Sequence, residues 1–245
     1  MKIVADLHTH SGEVCGHASG TLDEMCRQAA DIGLLAIANT DHGPLSFDGL
    51  EPQYYLDNLK KPESLHGVRL YKGIEIDIRD YSGGFLMDTA DMLKLDWVVA
   101  SMHGGPYTYG NREQNTAAYL GALENPAVDC LGHIARGNYP CDFGTVIAQA
   151  KRLGRTVEVN NHTFDFGDTD TARCRDIAQL CMKYELAVVV TSDAHSVEAV
   201  GGFSSVLDFL ASVNFPVELV INACEDRLSR FLEQRVKQKS RLRIF

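Results

Sequence analysis

Residues 6–17, DLHTHSGEVCGH, place three of the chain's nine histidines at the end of the first apolar stretch and in the segment that follows it. That stretch, KIVADLH, is short, rich in β-branched residues and almost continuously apolar, as is typical of a parallel strand covered on both faces. Six similar runs follow, so seven strands are predicted: KIVADLH (2–8), LLAIANT (34–40), RLYKGIEI (69–76), WVVASMH (97–103), VDCLGHI (128–134), TVEVNN (156–161) and AVVVTSD (187–193).

Helical patterns lie between these strands. Residues 21–33, TLDEMCRQAADIG, have Thr21 and Glu24 at capping-box spacing, an apolar stripe, and Gly33 at the end. Alternating strands and helices favour one α/β domain over residues 1–245, a βα barrel one unit short of eight, with an open doubly wound sheet as the alternative. No glycine-rich nucleotide motif follows any strand. Further helices are predicted at 115–125, 144–154, 174–185, 204–213 and 225–237.

Composition narrows the class of partner. The 245 residues carry a formal net charge of −10, which disfavours nucleic acid and anionic membranes because both need a basic face. Seven cysteines, an odd number without a CxxC pair, predict reduced thiols. The start lacks the apolar segment of a signal peptide, and no apolar run approaches the ~20 residues of a membrane span. The expected protein is cytoplasmic, with no membrane partner.

Most of the histidines lie where predicted strands end, whereas His17 and His162 lie in loops that follow strands and His66 lies off the pattern. In a parallel barrel the carboxyl ends of the strands converge on one face, where active sites are built. Imidazole and carboxylate bind zinc, manganese and iron well, and two such ions can share a hydroxide. A metal site is therefore predicted from the residues at these ends: His8, His10, His42, Glu75, His103, His133, Asp193 and His195.

The ordered motifs DLHTH, TDHG, GIEIDI, SMHGG, GHIARG and TSDAHS resemble those of the PHP (polymerase and histidinol phosphatase) superfamily. GHIARGNYP and EVNN are most similar to its YcdX-type phosphatase branch. The resemblance extends from residue 4 to about residue 205. It implies a distorted, TIM-like (β/α)7 barrel that holds a trinuclear metal site at the carboxyl ends of its strands.

The resemblance also implies which residues bind each ion. One metal would take His8, His10, Glu75 and Asp193, and a second would share Glu75 with His103 and His133. A third would take His17, His42 and His195. Two to three divalent metals are expected per chain, with zinc favoured over manganese or iron. The spacing from His10 to His17 is about one residue longer than in the relatives, and Cys15 stands where serine is common. Cys15 is interpreted as a loop thiol, with thiolate ligation as the alternative.

Several residues near these motifs have two interpretations. Asp6 is predicted to orient a metal-binding histidine, and Asp41 could do the same or serve only as a solvated or capping carboxylate. Arg136, three residues after His133, could bind a phosphate dianion or form a surface salt bridge. His162 is either a contact or proton carrier for the substrate or a satisfied polar residue, and Asn160 and Asn161 either orient substrate or complete loop hydrogen bonds.

Two segments are assigned no chemistry. His66 is interpreted as a surface residue. The basic C-terminal segment RVKQKSRLR, residues 235–243, is predicted to be a solvated tail, with a contact in a homo-oligomer as the alternative.

The predicted activity is that of a metal-dependent phosphatase acting on small phosphomonoesters. A hydroxide bridging the metals would attack phosphorus, with Glu75, Asp193 and Arg136 as the catalytic residues. The alternatives are a phosphodiesterase or exonuclease of the PHP type, an amidohydrolase-type metal hydrolase, and a metal-binding domain without turnover.

Overall fold

The computed structural model describes residues 1–13, 15–44, 46, 50–137 and 139–242. Strands and helices alternate along these residues. The strands are β1 (Ala5–Thr9), β2 (Ala36–Asn39), β3 (Ser64–Leu65), β4 (Val68–Asp77), β5 (Trp97–Ser101), β6 (Cys130–Leu131), β7 (Thr156–Asn160) and β8 (Val188–Thr191). The helices are α1 (Leu22–Asp31), α2 (Pro52–Asn58), α3 (Thr89–Met92), α4 (Arg112–Glu124), α5 (Phe143–Leu153), α6 (Asp168–Tyr184), α7 (Ser204–Ser212) and α8 (Glu225–Leu242).

Seven of the strands form a parallel sheet in the order β1-β2-β4-β5-β6-β7-β8. Residues after β8 return to β1, where the amide of Asp193 donates to the carbonyl of His8 at 3.0 Å and the amide of His10 donates to that of Ala194 at 2.8 Å. These bonds nearly close the sheet into a barrel. The predicted seven-stranded barrel is therefore confirmed, whereas the open sheet is not. The short β3, which pairs antiparallel with β4, was not predicted.

Local chemistry fixes the helix ends. Thr21 caps α1, since its hydroxyl accepts from the amide of Glu24 at 3.2 Å and the Glu24 carboxylate accepts from the Thr21 amide at 2.8 Å. Helix α5 ends at Gly154, whose φ of 65° is in the left-handed region that glycine adopts without strain. In the irregular stretch between β2 and β4, α2 carries Tyr55, whose buried hydroxyl donates to the carbonyl of His42. This contact positions the chain just after β2.

Helix α8 covers the amino end of the barrel, opposite the strand ends that carry the histidines. Leu228 and Leu232 of α8 pack with barrel-lining residues, among them Leu7 and Trp97, in one buried cluster. The helix continues to Leu242, so residues 235–242 are helical rather than the predicted tail. Five of these eight residues are exposed as predicted, whereas Arg235 and Lys239 are buried, and Arg243 lies outside the described residues. Among the described residues, no helix combines the length and the apolar character needed to cross a bilayer.

Two basic residues of that segment are buried against one acid. Arg235 and Lys239 are each 1% exposed, and Asp129, just before β6, is fully buried. The Asp129 carboxylate accepts from Arg235 Nε at 2.7 Å and from Lys239 Nζ at 2.5 Å. The basic residues were misread because lysine and arginine are seldom buried unless paired, and their partner lies more than 100 residues away in the sequence.

Candidate metal centre

The carboxyl ends of the barrel strands bring together the residues that the sequence singled out. His8 lies in β1, and His10 follows it by two residues, so both side chains point to the same face. Glu75 lies in β4, and the other members follow strand ends. Six of these side chains are almost completely buried: His8, His10, His42, Glu75, His133 and Asp193.

Pairs of imidazole nitrogens face each other in this cluster. His8 Nε2 lies 3.0 Å from His10 Nε2, and His103 Nε2 lies 3.3 Å from His133 Nε2. Only one nitrogen of such a neutral pair can donate across the gap, and the lone pairs of both converge when neither does. Converging nitrogen lone pairs are the arrangement that a cation between the rings would stabilise.

The Glu75 carboxylate lies between these rings. Its Oε1 is 2.9 Å from His133 Nε2 and 3.4 Å from His103 Nε2. Its Oε2 is 2.9 Å from His42 Nδ1, 3.4 Å from His8 Nε2 and 3.5 Å from His10 Nε2. One buried carboxylate thus contacts five imidazoles, which is the position of a group that could bridge two ions.

Asp193 supplies a second carboxylate to the same cluster. Its Oδ1 lies 3.2 Å from His10 Nε2 and 3.5 Å from His8 Nε2. Among the residues that the structure describes, four groups of side chains have potential ligand atoms within 4.8 Å of one another: His8 with His10 and Glu75; His42 with Glu75 and His103; His162 with Asp193 and His195; and His10 with Cys15, His42 and His195.

His17 lies near the cluster but outside these four groups. Its exposed ring stacks at 4.7 Å from His195 and 5.2 Å from His42, measured between centroids. Cys15 is only 2% exposed and belongs to the group that contains His42 and His195. At this corner of the cluster the structure therefore brings Cys15, rather than His17, into mutual ligand distance.

Two carboxylates orient His8 and His103 by hydrogen bonds to Nδ1, on the side of each ring opposite Nε2. His8 Nδ1 donates to Glu158 Oε1 at 2.5 Å, and His103 Nδ1 donates to Asp77 Oδ1 at 2.6 Å. Such bonds fix the tautomer so that Nε2 carries the lone pair, and they make that nitrogen a better ligand. Sequence reasoning missed both acids. The available signal was the two-residue period of a strand, which places Asp77 on the same face as Glu75.

The electrostatics of the cluster keep its acids ionised. Burial raises the pKa of Glu75, but the neighbouring His103, His8 and His42 outweigh it and hold that pKa well below its usual range. Burial likewise opposes ionisation of Asp193, whose pKa is nevertheless held well below its usual value by His8 and Arg136.

The histidines of the cluster differ in the direction in which their pKa is shifted. Burial lowers the pKa of His133 to about 4, and Arg136 adds to this effect, so the ring is neutral at neutral pH. His8 has the opposite balance: burial lowers its pKa, but Glu158, Asp193 and Glu75 together raise it well above the usual value. A proton on His8 offsets negative charge that a bound cation would offset in its place.

Two residues of the cluster have a strained backbone. His133 has a φ of 25° and Asp193 a φ of 58°, both positive in residues that are not glycine. Such conformations cost of order 1–3 kcal/mol and persist where the surrounding contacts fix them. The amide of Asp193 is fixed by the carbonyl of His8, and that of His133 by Glu158 Oε2 at 2.8 Å. The strain aims both side chains into the cluster.

Arg136 and His162 form part of the wall of a cavity of about 340 Å³ above the cluster. The turn after β6 brings Arg136 back over His133, and its Nη2 donates to Asp193 Oδ2. His162 Nδ1 lies 3.9 Å from the same oxygen. The other residues lining the cavity are His17, His42, Glu75, His103, Asp193 and His195.

Asp6 and Asp41 position loops rather than histidines. Asp6 accepts from the amides of Ser192 and Gly201 at 3.1 and 3.0 Å, and burial raises its pKa to about 6. The prediction that Asp6 orients a histidine is therefore wrong, although its bonds support the residue before Asp193. Asp41 accepts from the amide of Ser11 at 2.7 Å and so fixes the loop after β1.

Asn160 and His66 have simpler roles. Asn160 Nδ2 donates to Glu158 Oε2 at 3.2 Å and to Asp193 Oδ2 at 3.3 Å, which links two carboxylates of the cluster. His66 pairs with Asp23 at 2.8 Å on the surface, as its surface interpretation predicts. Asn161 accepts from the amide of Val206 at 3.0 Å and thereby holds the start of α7.

Residues 6–162 match the family model described as the PHP domain. This chain belongs to the PHP domain family. It is 36% identical to a protein named "Probable phosphatase" from Acetivibrio thermocellus, over 99% of both chains. It is also 36% identical to a "Probable phosphatase" from Clostridium botulinum, over 98% of both. Histidinol phosphate phosphatase from Lactococcus lactis, solved with zinc, L-histidinol and phosphate, shares the fold with a TM-score of 0.61. The two sequences are 14% identical, and the match covers 86% of this chain and 94% of that chain.

Proposed function

We propose that this PHP domain is a metal-dependent phosphatase that hydrolyses small phosphomonoesters. The observation that most strongly supports this proposal is the Glu75 carboxylate, which is buried between five imidazoles directly below a cavity. The family and the phosphatase names of its relatives support a metal-dependent phosphoesterase. Restriction to monoesters, and a centre of up to three ions with zinc favoured, are our own extension.

The donor set fits divalent cations. Nδ1 of His10 is buried without a hydrogen bond, although such groups are normally paired in protein interiors. His42 Nδ1 lies close to Glu75 yet makes no well-directed hydrogen bond. Mixed imidazole and carboxylate ligands suit zinc, manganese and iron. We assign one ion to His8, His10, Glu75 and Asp193, a second to Glu75, His103 and His133, and a third to the corner formed by His42 and His195 with the loop after β1.

Divalent metals bound here would activate water and offset the charge on the phosphoryl oxygens. Side chains of the protein would bind the phosphoryl group and transfer the proton. The Arg136 guanidinium, at the cavity wall, binds a phosphoryl oxygen. His162, whose Nδ1 lies 3.9 Å from Asp193 Oδ2 on the same wall, holds a proton and moves it toward the leaving oxygen, and the ionised Asp193 carboxylate orients that imidazole.

Cavity size and charge support a small substrate. The cavity above the cluster measures about 340 Å³, near the lower end of ligand pockets. A second cavity of about 370 Å³ shares His162, Asp193 and His195 with it and would take the leaving group. Its described lining residues include Asp165 but neither lysine nor arginine, so nothing in it favours a second phosphate. This disfavours the exonuclease alternative, in which a polyanionic strand must be held.

The test compares p-nitrophenyl phosphate, bis(p-nitrophenyl) phosphate and single-stranded DNA on zinc- and manganese-loaded protein, with elemental analysis of each preparation. We expect two to three metals per chain and clear preference for the monoester. A preference for DNA would support the exonuclease alternative. One metal or none in carefully loaded protein would contradict the centre itself.

Replacing Arg136 by alanine should weaken catalysis without removing metal. Loss of a hydrogen bond to a charged group costs about 1.5–3 kcal/mol, or roughly ten- to a hundred-fold in kcat/KM. Arg136→Lys should recover only part of this, because an ammonium cannot make the bidentate contact. Arg152→Ala, at a side chain that is 62% exposed, is the matched control. Wild-type kinetics in Arg136→Ala would leave phosphate binding to the metals alone.

Asp77→Asn should weaken metal binding at the His103 side of the cluster. Asparagine keeps an acceptor for His103 Nδ1 but removes the charge that makes the opposite nitrogen a strong ligand. Such changes cost about 10–100-fold in metal affinity or activity. Competition with a chelator of known affinity measures the effect, and Asp57→Asn, on the exposed face of α2, is the control. Equal metal affinity in both variants would show that Asp77 does not act through His103.

A further inference from the structure

The loop after β1 brings a thiol into the corner that the family resemblance assigns to a third metal. Cys15 is 2% exposed, and its sulfur shares a group with His10, His42 and His195 whose potential ligand atoms all lie within 4.8 Å of one another. Of the seven cysteines, no other belongs to a metal-capable group among the residues that the structure describes.

The histidines around this thiol supply a second, independent observation. His10 is completely buried, and its Nδ1 makes no hydrogen bond. Its ring stacks on His195 with centroids 4.2 Å apart and on His42 at 4.4 Å. Buried imidazole nitrogens without partners are costly unless something is bound to them. The corner thus gathers three imidazoles and one sulfur within mutual ligand distance.

We propose that Cys15 is a metal ligand of this centre, a thiolate that binds the third ion together with His42 and His195, in the position that the family resemblance gives to His17. This inference rests on the proposed metal centre. Sulfur is a preferred ligand of zinc, and mixed cysteine and histidine sites are common for that ion. On binding, the thiol proton leaves for solvent as the metal–sulfur bond forms.

The path of the loop explains why Cys15, rather than His17, would be the metal ligand. The amide of Cys15 donates to the carbonyl of Ser11 at 3.2 Å, and the amide of Ala18 donates to the carbonyl of Cys15 at 3.0 Å. This turn directs Cys15 inward and leaves His17 exposed at the cavity wall, with Cys15 Sγ 3.4 Å from His17 Nδ1. His17 would then face the cavity, whereas Cys15 would hold the ion from the buried side of the corner.

Cobalt(II) substitution tests the assignment, because a thiolate bound to cobalt gives a sulfur-to-metal charge-transfer absorption in the near ultraviolet that imidazole and carboxylate ligands do not. We expect this band in the loaded wild-type protein. Cys15→Ser should lose the band and one of the bound cobalt ions, whereas Cys224→Ser should keep both. His17→Ala should also keep the band.

A wild-type cobalt protein without the band would overturn the proposal, and this result does not depend on how any variant folds. A band that survives in Cys15→Ser, or is lost only in His17→Ala, would also overturn it. Phosphate release from p-nitrophenyl phosphate, assayed separately, tests the proposed function. A charge-transfer band with no hydrolysis would refute the phosphatase and leave the ligand assignment standing.

Discussion

Glu75→Gln should remove at least one bound metal and nearly all phosphatase activity. Glutamine is nearly isosteric, so the change removes the negative charge while keeping the shape of the side chain. That charge lies within 3.5 Å of five imidazoles, and no other described carboxylate contacts both halves of the cluster so closely. Losing an electrostatic group of this kind costs about 10²–10³-fold in kcat. Initial rates with p-nitrophenyl phosphate and elemental analysis measure the two effects.

The control is Glu233→Gln, which makes the same chemical change at an exposed position of α8. It should match the wild type in metal content and rate. If Glu75→Gln instead retains both, the bridging role is wrong, and the ions must be held by Asp193 and the histidines alone. Loss of activity with full metal content would give Glu75 a role in chemistry rather than in metal binding.

The barrel and the location of the site could be predicted from the sequence because both follow from local patterns. Nearly continuous apolar runs predicted all seven parallel strands. Once those strands are parallel, their carboxyl ends must meet, so residues as distant as His8 and Asp193 were expected to be neighbours. Their atoms do lie 3.5 Å apart. The argument needed only strand direction, not side-chain conformation.

Of the two orienting carboxylates, Glu158 required information that the sequence does not carry. Glu158 lies inside a strand, where an acid can be buried against a histidine or exposed at an edge with the same local pattern. Its partner, His8, is 150 residues away. Asp6 was misassigned for the same reason: its position next to the first histidines suggested a role that its hydrogen bonds to Ser192 and Gly201 do not support.

The loop around Cys15 shows a second limit of prediction from the sequence. An imidazole at position 17 matches the family pattern better than a thiol at position 15, so His17 was predicted to be the ligand. Which of the two points inward depends on the turn that Ser11 and Ala18 make around Cys15. Spacing alone cannot resolve which of these two side chains such a turn directs inward.

We expect the largest loss of stability when the acidic partner of the buried Arg235 and Lys239 is removed. Asp129→Asn should destabilise the fold by about 3–5 kcal/mol, because it leaves Arg235 and Lys239 buried without a counter-charge. Urea unfolding followed by circular dichroism measures the loss. Lys239→Met should cost less, since Asp129 keeps its bonds from Arg235 Nε at 2.7 Å and from the Val98 amide at 2.8 Å.

Alkaline pH should partly rescue the Asp129→Asn variant. Burial already lowers the pKa of Lys239, and loss of the aspartate removes the charge that opposes this effect. The unfolded lysine keeps its proton up to about pH 10.4, so above the folded pKa the unfolded state binds more protons and the free energy of unfolding rises with pH. Lys237→Ala, at an exposed position of the same helix, should change stability by about 0.5 kcal/mol or less at any pH. An Asp129→Asn variant as stable as this control would mean that α8 covers the barrel through Leu228 and Leu232 alone, without help from its charges.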